Sequence, residues 1–203
     1  MGKLEANLYE EIFQVVKEHR ARQKNQKPCV VWLTGLSGAG KSTIAKELDS
    51  KLYKLGVHSY ILDGDNLRLG INKGLGFSDE ERSENIRRTA EITKLFVDAG
   101  LVVIVAIISP FTIDRNMARN LFEDNEFIEV FIDAPLDVVE QRDTKGLYKK
   151  ARVGEFKNFT GIDSPYEPPL KPEIYVPTHI ISSSEATNKI LSYILEKKLV
   201  SLH

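Results

Sequence analysis

The sequence predicts an α/β fold, a parallel five-stranded sheet with helices on both faces, and three observations predict it. Apolar, β-branched runs alternate with helix-like segments; a glycine-rich loop joins the first run to a helix; and 203 residues with 42% hydrophobic content suffice for one buried core. Strands are read at Cys29 to Thr34, Ser59 to Leu62, Leu101 to Ile108, Phe127 to Ile132 and His179 to Ile181. Ile44 to Leu55 reads as the helix behind the glycine-rich loop. A later helix opens with Ser78 and Glu81 at capping-box spacing, carries Ile86, Ala90, Thr93 and Phe96 or Val97 as a stripe, and closes at Gly100. Such an alternation puts ligands at the C-terminal strand ends, so Gly35, Asp63, Ser109 and Asp133 fall on one rim. Residues 1–27 read as a separate helical lead-in, apolar at Leu8, Ile12 and Val15 or Val16, ahead of a main domain over 28–203. The basic run His19 to Lys27 that ends the lead-in is either a solvated helix end or a polybasic tether. Pro165, Pro168, Pro169, Pro172 and Pro177 make 164–177 an extended surface connection before the last strand and helix.

Charge and cysteine usage narrow the function classes. The 28 lysines and arginines balance 29 acids, so no overall field draws the chain to nucleic acid or anionic lipid. The longest uncharged apolar run, Leu101 to Ile108, is too short to cross a bilayer, and Met1-Gly2-Lys3-Leu4-Glu5 lacks the apolar segment of a secretory signal. Ala6 stands where a myristoylation motif carries Ser or Thr. The lone Cys29 falls in the first strand and reads as a small buried hydrophobe, which suits a reducing, cytoplasmic setting. His19, His58, His179 and His203 are scattered without ligand spacing, so no zinc site is expected.

The chemistry begins at Gly35-Leu36-Ser37-Gly38-Ala39-Gly40-Lys41-Ser42-Thr43, which fulfils the phosphate-loop (Walker A) pattern GxxxxGK[ST] between a strand and a helix. Its glycines let consecutive N–H groups curl around a polyphosphate, and the helix behind presents its positive end to the same anion. Lys41 can reach the outer phosphates and the Ser42 hydroxyl can ligate magnesium. No guanine reader follows, because Asn72-Lys73 runs on into Gly74-Leu75-Gly76. The nucleotide is therefore read as a phosphoryl donor. Two rivals stay open: a kinase for another small acceptor, such as a sugar acid or a nucleoside, and a nucleotide-dependent switch without chemistry.

The second strand delivers Asp63-Gly64-Asp65-Asn66 to the same rim. Gly64 permits a tight turn, so that two carboxylates can face the transfer site. One of them can position the acceptor hydroxyl, take its proton late in the reaction and help to hold magnesium through water. Asp63 is the first choice and Asp133 the second. Arg142 to Arg152 is locally basic, with Gly146 and Gly154 as hinge points. It reads either as a solvated face or as a mobile lid, over about 142–161, that closes on the triphosphate with Arg142 and Arg152 supplying charge. Phe77, in Gly76-Phe77-Ser78, and Phe159, in Asn158-Phe159-Thr160-Gly161, either anchor their loops on the core or clamp a planar base.

Taken together, GLSGAGKST, DGDN, GLGFS, Arg82-Ser83-Glu84-Asn85-Ile86-Arg87-Arg88, Ile108-Ser109-Pro110, Asp114-Arg115, KGLYKKAR and FTGID resemble the adenylylsulfate kinase family, from about Val30 to Tyr175. The resemblance implies a P-loop NTPase-type three-layer sandwich. It also implies Mg2+ and ATP as cofactors, with the γ-phosphoryl passing to the 3′-hydroxyl of adenosine 5′-phosphosulfate. The products would be 3′-phosphoadenosine 5′-phosphosulfate and ADP, the second activation step of sulfate assimilation. Family roles put Gly35 to Thr43 around the ATP phosphates, Asp63 beside the acceptor hydroxyl, and Asp65 and Asn66 with the acceptor. Arg68, Arg82 and Asn85 look like contacts to the phosphosulfate, a task that suits guanidinium forks. Phe77 and Phe159 would sandwich the adenine, while Ile108, Ser109, Pro110, Lys145, Gly146 and Leu147 would line its pocket. In similar kinases the serine matching Ser109 has been assigned as a phosphoserine intermediate. In-line transfer needs no relay, and no histidine lies beside Ser109 in sequence, so it is expected to bind substrate. Phe111 stands where many relatives have tyrosine. The absence of a sulfurylase segment suggests the stand-alone type, and family precedent implies a homodimer.

Overall fold

The computed structural model describes residues 9, 11–155 and 157–200. Five parallel strands, β1 (Cys29–Thr34), β2 (Ser59–Asp63), β3 (Val102–Ala106), β4 (Phe127–Asp133) and β5 (Ile174–Pro177), stand in the order β2-β3-β1-β4-β5. Every residue of β1 and β3 is buried, as a parallel sheet covered on both faces requires. On one face Val31, Leu33, Ile104 and Val130 pack with Ile44 and Leu48 of α2 (Lys41–Lys54) and Ile190 and Ile194 of α8 (Ser183–Glu196). On the other, Val30, Trp32, Val103 and Val105 meet Ile86, Ala90 and Val97 of α4 (Asp79–Asp98) and Ala118 of α5 (Thr112–Arg119). The three layers follow from this alternation of inward side chains along each strand.

The capping box read from sequence is present: Ser78 Oγ accepts from Glu81 N at 3.3 Å and Glu81 Oε2 accepts from Ser78 N at 3.1 Å. Ile86, Ala90, Thr93 and Val97 form the buried stripe, with Phe96 partly buried beside them. Register fixes the heights of the strand ends. Asp63 pairs with Ala106 and Ala106 with Leu33, so the end of β2 stands level with the last turns of β1 and β3.

The sequence misplaced two elements. The last strand is Ile174–Pro177, inside the stretch read as a connection, and His179 to Ile181 is a turn. Here β5 is an edge strand, so it tolerates the terminal Pro177; Ile174 and Val176 face inward and Tyr175 outward. The lead-in helix is α1 (Lys17–Gln23) alone, with no buried residue. Ile12, Val15 and Val16 precede it, exposed and not helical, and Leu8 lies outside the described residues.

Candidate active site

The phosphate loop begins where β1 presses against β4. A Cβ on Gly35 would collide with the Ile132 carbonyl, and the backbone there runs at φ +149°, so only glycine fits both demands. The loop enters α2 through Gly40 at φ +107°. Lys41, buried at the start of α2, donates from Nζ to Gly35 O at 2.8 Å and Leu36 O at 2.7 Å, drawing its ammonium across the concave side of the loop. Burial lowers its pKa to about 8, against the pull of the Asp63 and Asp65 charges.

Beside it, Ser42 Oγ donates to Asp63 Oδ2 at 2.7 Å. Asp63 closes β2 and caps α3 (Gly64–Leu69), with Oδ1 accepting from Asp65 N at 3.1 Å. Gly64 does not form the tight turn expected of it: it is the first residue of α3 and its φ is not positive. Its smallness serves close approach, since a Cβ would stand 3.2 Å from Ile107 Cγ2. Asp65 is ion-paired with Lys145, which brings the basic segment to the start of α3. The joined Ser42 hydroxyl and Asp63 carboxylate suit Mg2+, which takes few protein oxygens and completes its octahedron with phosphates and water. No group of three or more His, Cys, Asp or Glu able to hold a metal occurs among the described residues.

The second cluster is built on the start of α4 and the loop before it. Arg68 Nη1 donates to Leu75 O at 3.0 Å and Gly76 O at 2.8 Å, and its guanidinium lies 4.4 Å from the Phe77 ring centroid. The Arg82 guanidinium is 5.5 Å from the same ring, so two cations lie close to it. Burial lowers the pKa of both guanidiniums, and the Arg68 charge lowers that of Arg82 further. Arg82 donates from Nε to Phe77 O at 3.0 Å and from Nη2 to Asn158 O at 2.6 Å, tying the Phe77 loop to the Phe159 loop. Glu81 Oε1 accepts from Gly76 N at 2.8 Å and holds the loop from the other side. Phe77 is half exposed; Phe159 packs on the core, edge-on to Tyr148 at 4.9 Å. Asn85, one helical turn beyond Arg82, accepts from Asn72 Nδ2 at 3.0 Å.

Ser109 stands at the exit of β3 in the left-handed region, φ +41°, which is uncommon outside glycine. Trp32 Nε1 donates to its Oγ at 3.1 Å, and Arg115 Nη1 donates to its carbonyl at 2.8 Å. Arg115 is itself held by Glu129 at 2.9 Å and by Glu167 O at 2.7 Å. Ile108 O accepts from Thr34 Oγ1 at 2.7 Å, and Pro110 O accepts from Glu167 N at 2.9 Å, so a strap over 164–167 crosses the strand ends.

The basic segment divides. Arg142, at the end of α6 (Leu136–Arg142), donates from Nη2 to Thr178 O at 2.7 Å, and Thr178 Oγ1 donates to Ala39 O at 2.8 Å, which brings Arg142 to the phosphate loop. Arg152 instead pairs with Glu140 on α6. Between them α7 (Leu147–Arg152) is anchored by buried Tyr148, whose hydroxyl donates to Ser37 O at 2.9 Å. Gly146 enters α7 at φ +66°. Asp133 accepts from Tyr175 Oη at 2.7 Å and lines a cavity of about 550 Å³ with Leu36, Ile162 and Tyr166. None of Asp63, Arg68, Phe77, Arg82 or Ser109 lines that cavity. Trp32 and Thr178 have no role in the sequence reading, and Arg115 and Tyr148 enter it only within the Asp114-Arg115 and KGLYKKAR motifs. Thr178 directly follows β5, where rim residues gather, but with that strand read at His179 to Ile181 the signal is hidden.

A parallel sheet in this order, a phosphate loop with a buried lysine, and an acceptor-side carboxylate hydrogen-bonded to the loop serine together define a P-loop phosphotransferase. The family model for adenylylsulphate kinase matches residues 27–177. The chain belongs to that family. It is 57% identical to the adenylyl-sulfate kinase of Marinobacter nauticus, over 92% of this chain and 94% of that one. Among solved structures, the APS kinase of Mycobacterium tuberculosis in complex with AMPPNP and APS is 45% identical, with TM-score 0.80, over 84% of this chain and 99% of that one. A hexameric APS kinase from Thiobacillus denitrificans is 28% identical, with TM-score 0.68, over 92% of this chain and 32% of that one.

Proposed function

We propose that the chain transfers the γ-phosphoryl of ATP to the 3′-hydroxyl of adenosine 5′-phosphosulfate, releasing ADP and 3′-phosphoadenosine 5′-phosphosulfate. The observation that supports this reading is the Lys41 loop with Asp63 bonded to its serine and Lys145 paired to Asp65, followed along α3 by the cluster of Arg68, Phe77 and Arg82. The loop N–H groups and Lys41 hold the triphosphate. Phe77 offers a face to the adenine of the acceptor, with Phe159 from the facing loop, while Arg68, Arg82 and Asn85 hold its phosphosulfate. Ile108, Ser109, Pro110 and Leu147 complete the wall, with Asp65, Asn66 and Lys145 beside them. Asp63 orients the 3′-hydroxyl; as the oxygen–phosphorus bond forms and the bond to the β-phosphate oxygen breaks, the hydroxyl proton passes to its carboxylate. Ser42 and Asp63 are the residues that would hold magnesium, which would supply charge neutralisation at the phosphates. Lys145 and Arg142 add positive charge and exclude water, and Arg152, paired to Glu140, adds charge from α7.

ADP release from Mg-ATP, measured against adenosine 5′-phosphosulfate and a panel of sugar acids and nucleosides, tests the reading. Turnover with adenosine 5′-phosphosulfate at least a hundred-fold above the panel supports it; preference for another acceptor, or nucleotide binding without transfer, overturns it. No helix among the described residues is long and apolar enough to cross a membrane, and a cytoplasmic homodimer is the setting we propose. Light scattering that reads any multiple of the chain mass other than two refutes the dimer.

A further inference from the structure

Asn72 lies in the turn between α3 and the Phe77 loop, and none of its surface reaches solvent. Its backbone fixes the turn: Asn72 N donates to Leu67 O at 2.9 Å, and its carbonyl accepts from Leu75 N at 3.2 Å. The side chain is unusual. Nδ2 donates to Asn85 Oδ1 at 3.0 Å, yet Oδ1 is buried without any partner. The bond to Asn85 is thus the one side-chain contact through which this buried amide acts on its surroundings.

That bond determines what Asn85 can do. An amide presents a carbonyl acceptor on one side and two donors on the other, and rotation by half a turn exchanges them. An anionic ligand accepts hydrogen bonds only, so an Asn85 that showed its carbonyl would repel what it should bind. With Oδ1 engaged by Asn72, the Nδ2 protons are the part of the Asn85 amide left for a ligand. Asn85 lies three residues after Arg82, on the same face of α4.

We propose that Asn72 is a positioning residue for the acceptor anion: by donating to Asn85 Oδ1 it holds that amide with its donors toward the phosphosulfate. This rests on the assignment of Asn85 as an acceptor contact made above. Asn72 touches no substrate and acts through Asn85 alone.

The test uses the full chain with Mg-ATP and adenosine 5′-phosphosulfate, and the variants Asn72→Leu, Asn72→Asp, Asn85→Ala, Asn85→Asp and Asn72→Leu/Asn85→Ala. A misdirected hydrogen bond to a charged ligand is expected to raise the acceptor KM about tenfold in either Asn72 variant, with kcat and the KM for ATP within about twofold of the parent. In the Asn85→Ala background, Asn72→Leu should add less than about twofold, because the residue it orients is gone. Asn85→Asp, which leaves Asn72 its acceptor but turns a carboxylate to the anion, should exceed Asn85→Ala in acceptor KM. A structural role alone would instead lower melting temperature and leave the acceptor KM unchanged, or multiply independently in the double variant; either result overturns the proposal. If Asn85→Ala leaves the acceptor KM unchanged while the parent turns over, the contact itself is wrong and the proposal falls with it. If the parent does not phosphorylate this acceptor at all, the failure lies with the proposed function.

Discussion

Replacing Gly35 by alanine tests whether the phosphate loop depends on the press of β1 against β4. The new Cβ would stand against the Ile132 carbonyl, 3.2 Å from its carbon and closer still to its oxygen, with the backbone at φ +149°. Both neighbours are main chain in the sheet, so neither can swing aside as a flexible side chain would. Overpacking costs about 1–3 kcal/mol and the strained φ another ~1–3, together roughly 2–6 kcal/mol of a total stability of about 5–15. For a chain of this size that lowers the melting temperature by roughly 4–24 °C. Gly56→Ala is the matched control: φ +76°, with nothing within 4 Å of its Cβ. It carries strain alone, about 1–2 kcal/mol or roughly 2–8 °C. Thermal melts by circular dichroism, with ATP titrations alongside, separate the two. The Gly35 variant should melt lower than the control and bind ATP more weakly, while the control binds as the parent does. Equal melting shifts, or unimpaired ATP binding by Gly35→Ala, would refute the argument from close approach.

Asp63→Asn keeps an acceptor for Ser42 Oγ but removes the proton acceptor, so kcat should fall about 10²–10⁴-fold with ATP affinity within about threefold; single-turnover rates near the parent value would remove Asp63 from the chemistry. Ser109→Ala should turn over measurably, whereas complete loss of transfer with intact ATP binding, together with labelled phosphoenzyme trapped in the parent without acceptor, would restore a covalent serine. Trp32→Phe takes away the donor to Ser109 Oγ from inside the core and should raise the acceptor KM more than the KM for ATP; equal changes in both would make Trp32 a packing residue only. Burial holds the Lys41 pKa near 8, so in unliganded enzyme the loop loses its ammonium above about pH 8 rather than near 10.4. Between those values the unfolded chain binds a proton that the folded chain lacks. The destabilisation from Lys41 is therefore fully present below about pH 8 and is relieved as pH rises. ATP affinity runs the other way and should weaken through the same window; a flat affinity profile up to about pH 9.5, or a slope retained in Lys41→Met, would contradict this.

Local patterns carried most of the frame. The capping box of α4, four of the strands and the loop that holds Lys41 each have a signature within a dozen residues, and the family resemblance supplied roles for the acceptor side. What escaped the sequence was long-range or broken. The fifth strand alternates inward and outward over only four residues and ends on proline, so a search for an unbroken apolar run settled on His179 to Ile181 instead. Thr178 was lost with it. Gly64 was read from its backbone freedom, whereas its smallness makes room for Ile107 Cγ2. Trp32 looked like core and is core; that its indole proton reaches Ser109, 77 residues away, has no local trace. The same holds for Asn72, whose partner on α4 only the folded chain brings near.

The bond from Tyr148 to the Ser37 carbonyl changes how the basic segment should be pictured. A flap hinged at Gly146 and Gly154 would swing as one piece, but α7 between them is rooted in the interior by Tyr148 and Ala151. The helix is tied at both ends as well: Lys145 before it reaches Asp65, and Arg152 at its close reaches Glu140. From Ser37 the contact runs through Tyr148 to Phe159, whose ring lies against it. One tyrosine thus joins the phosphate loop to the loop that carries Phe159.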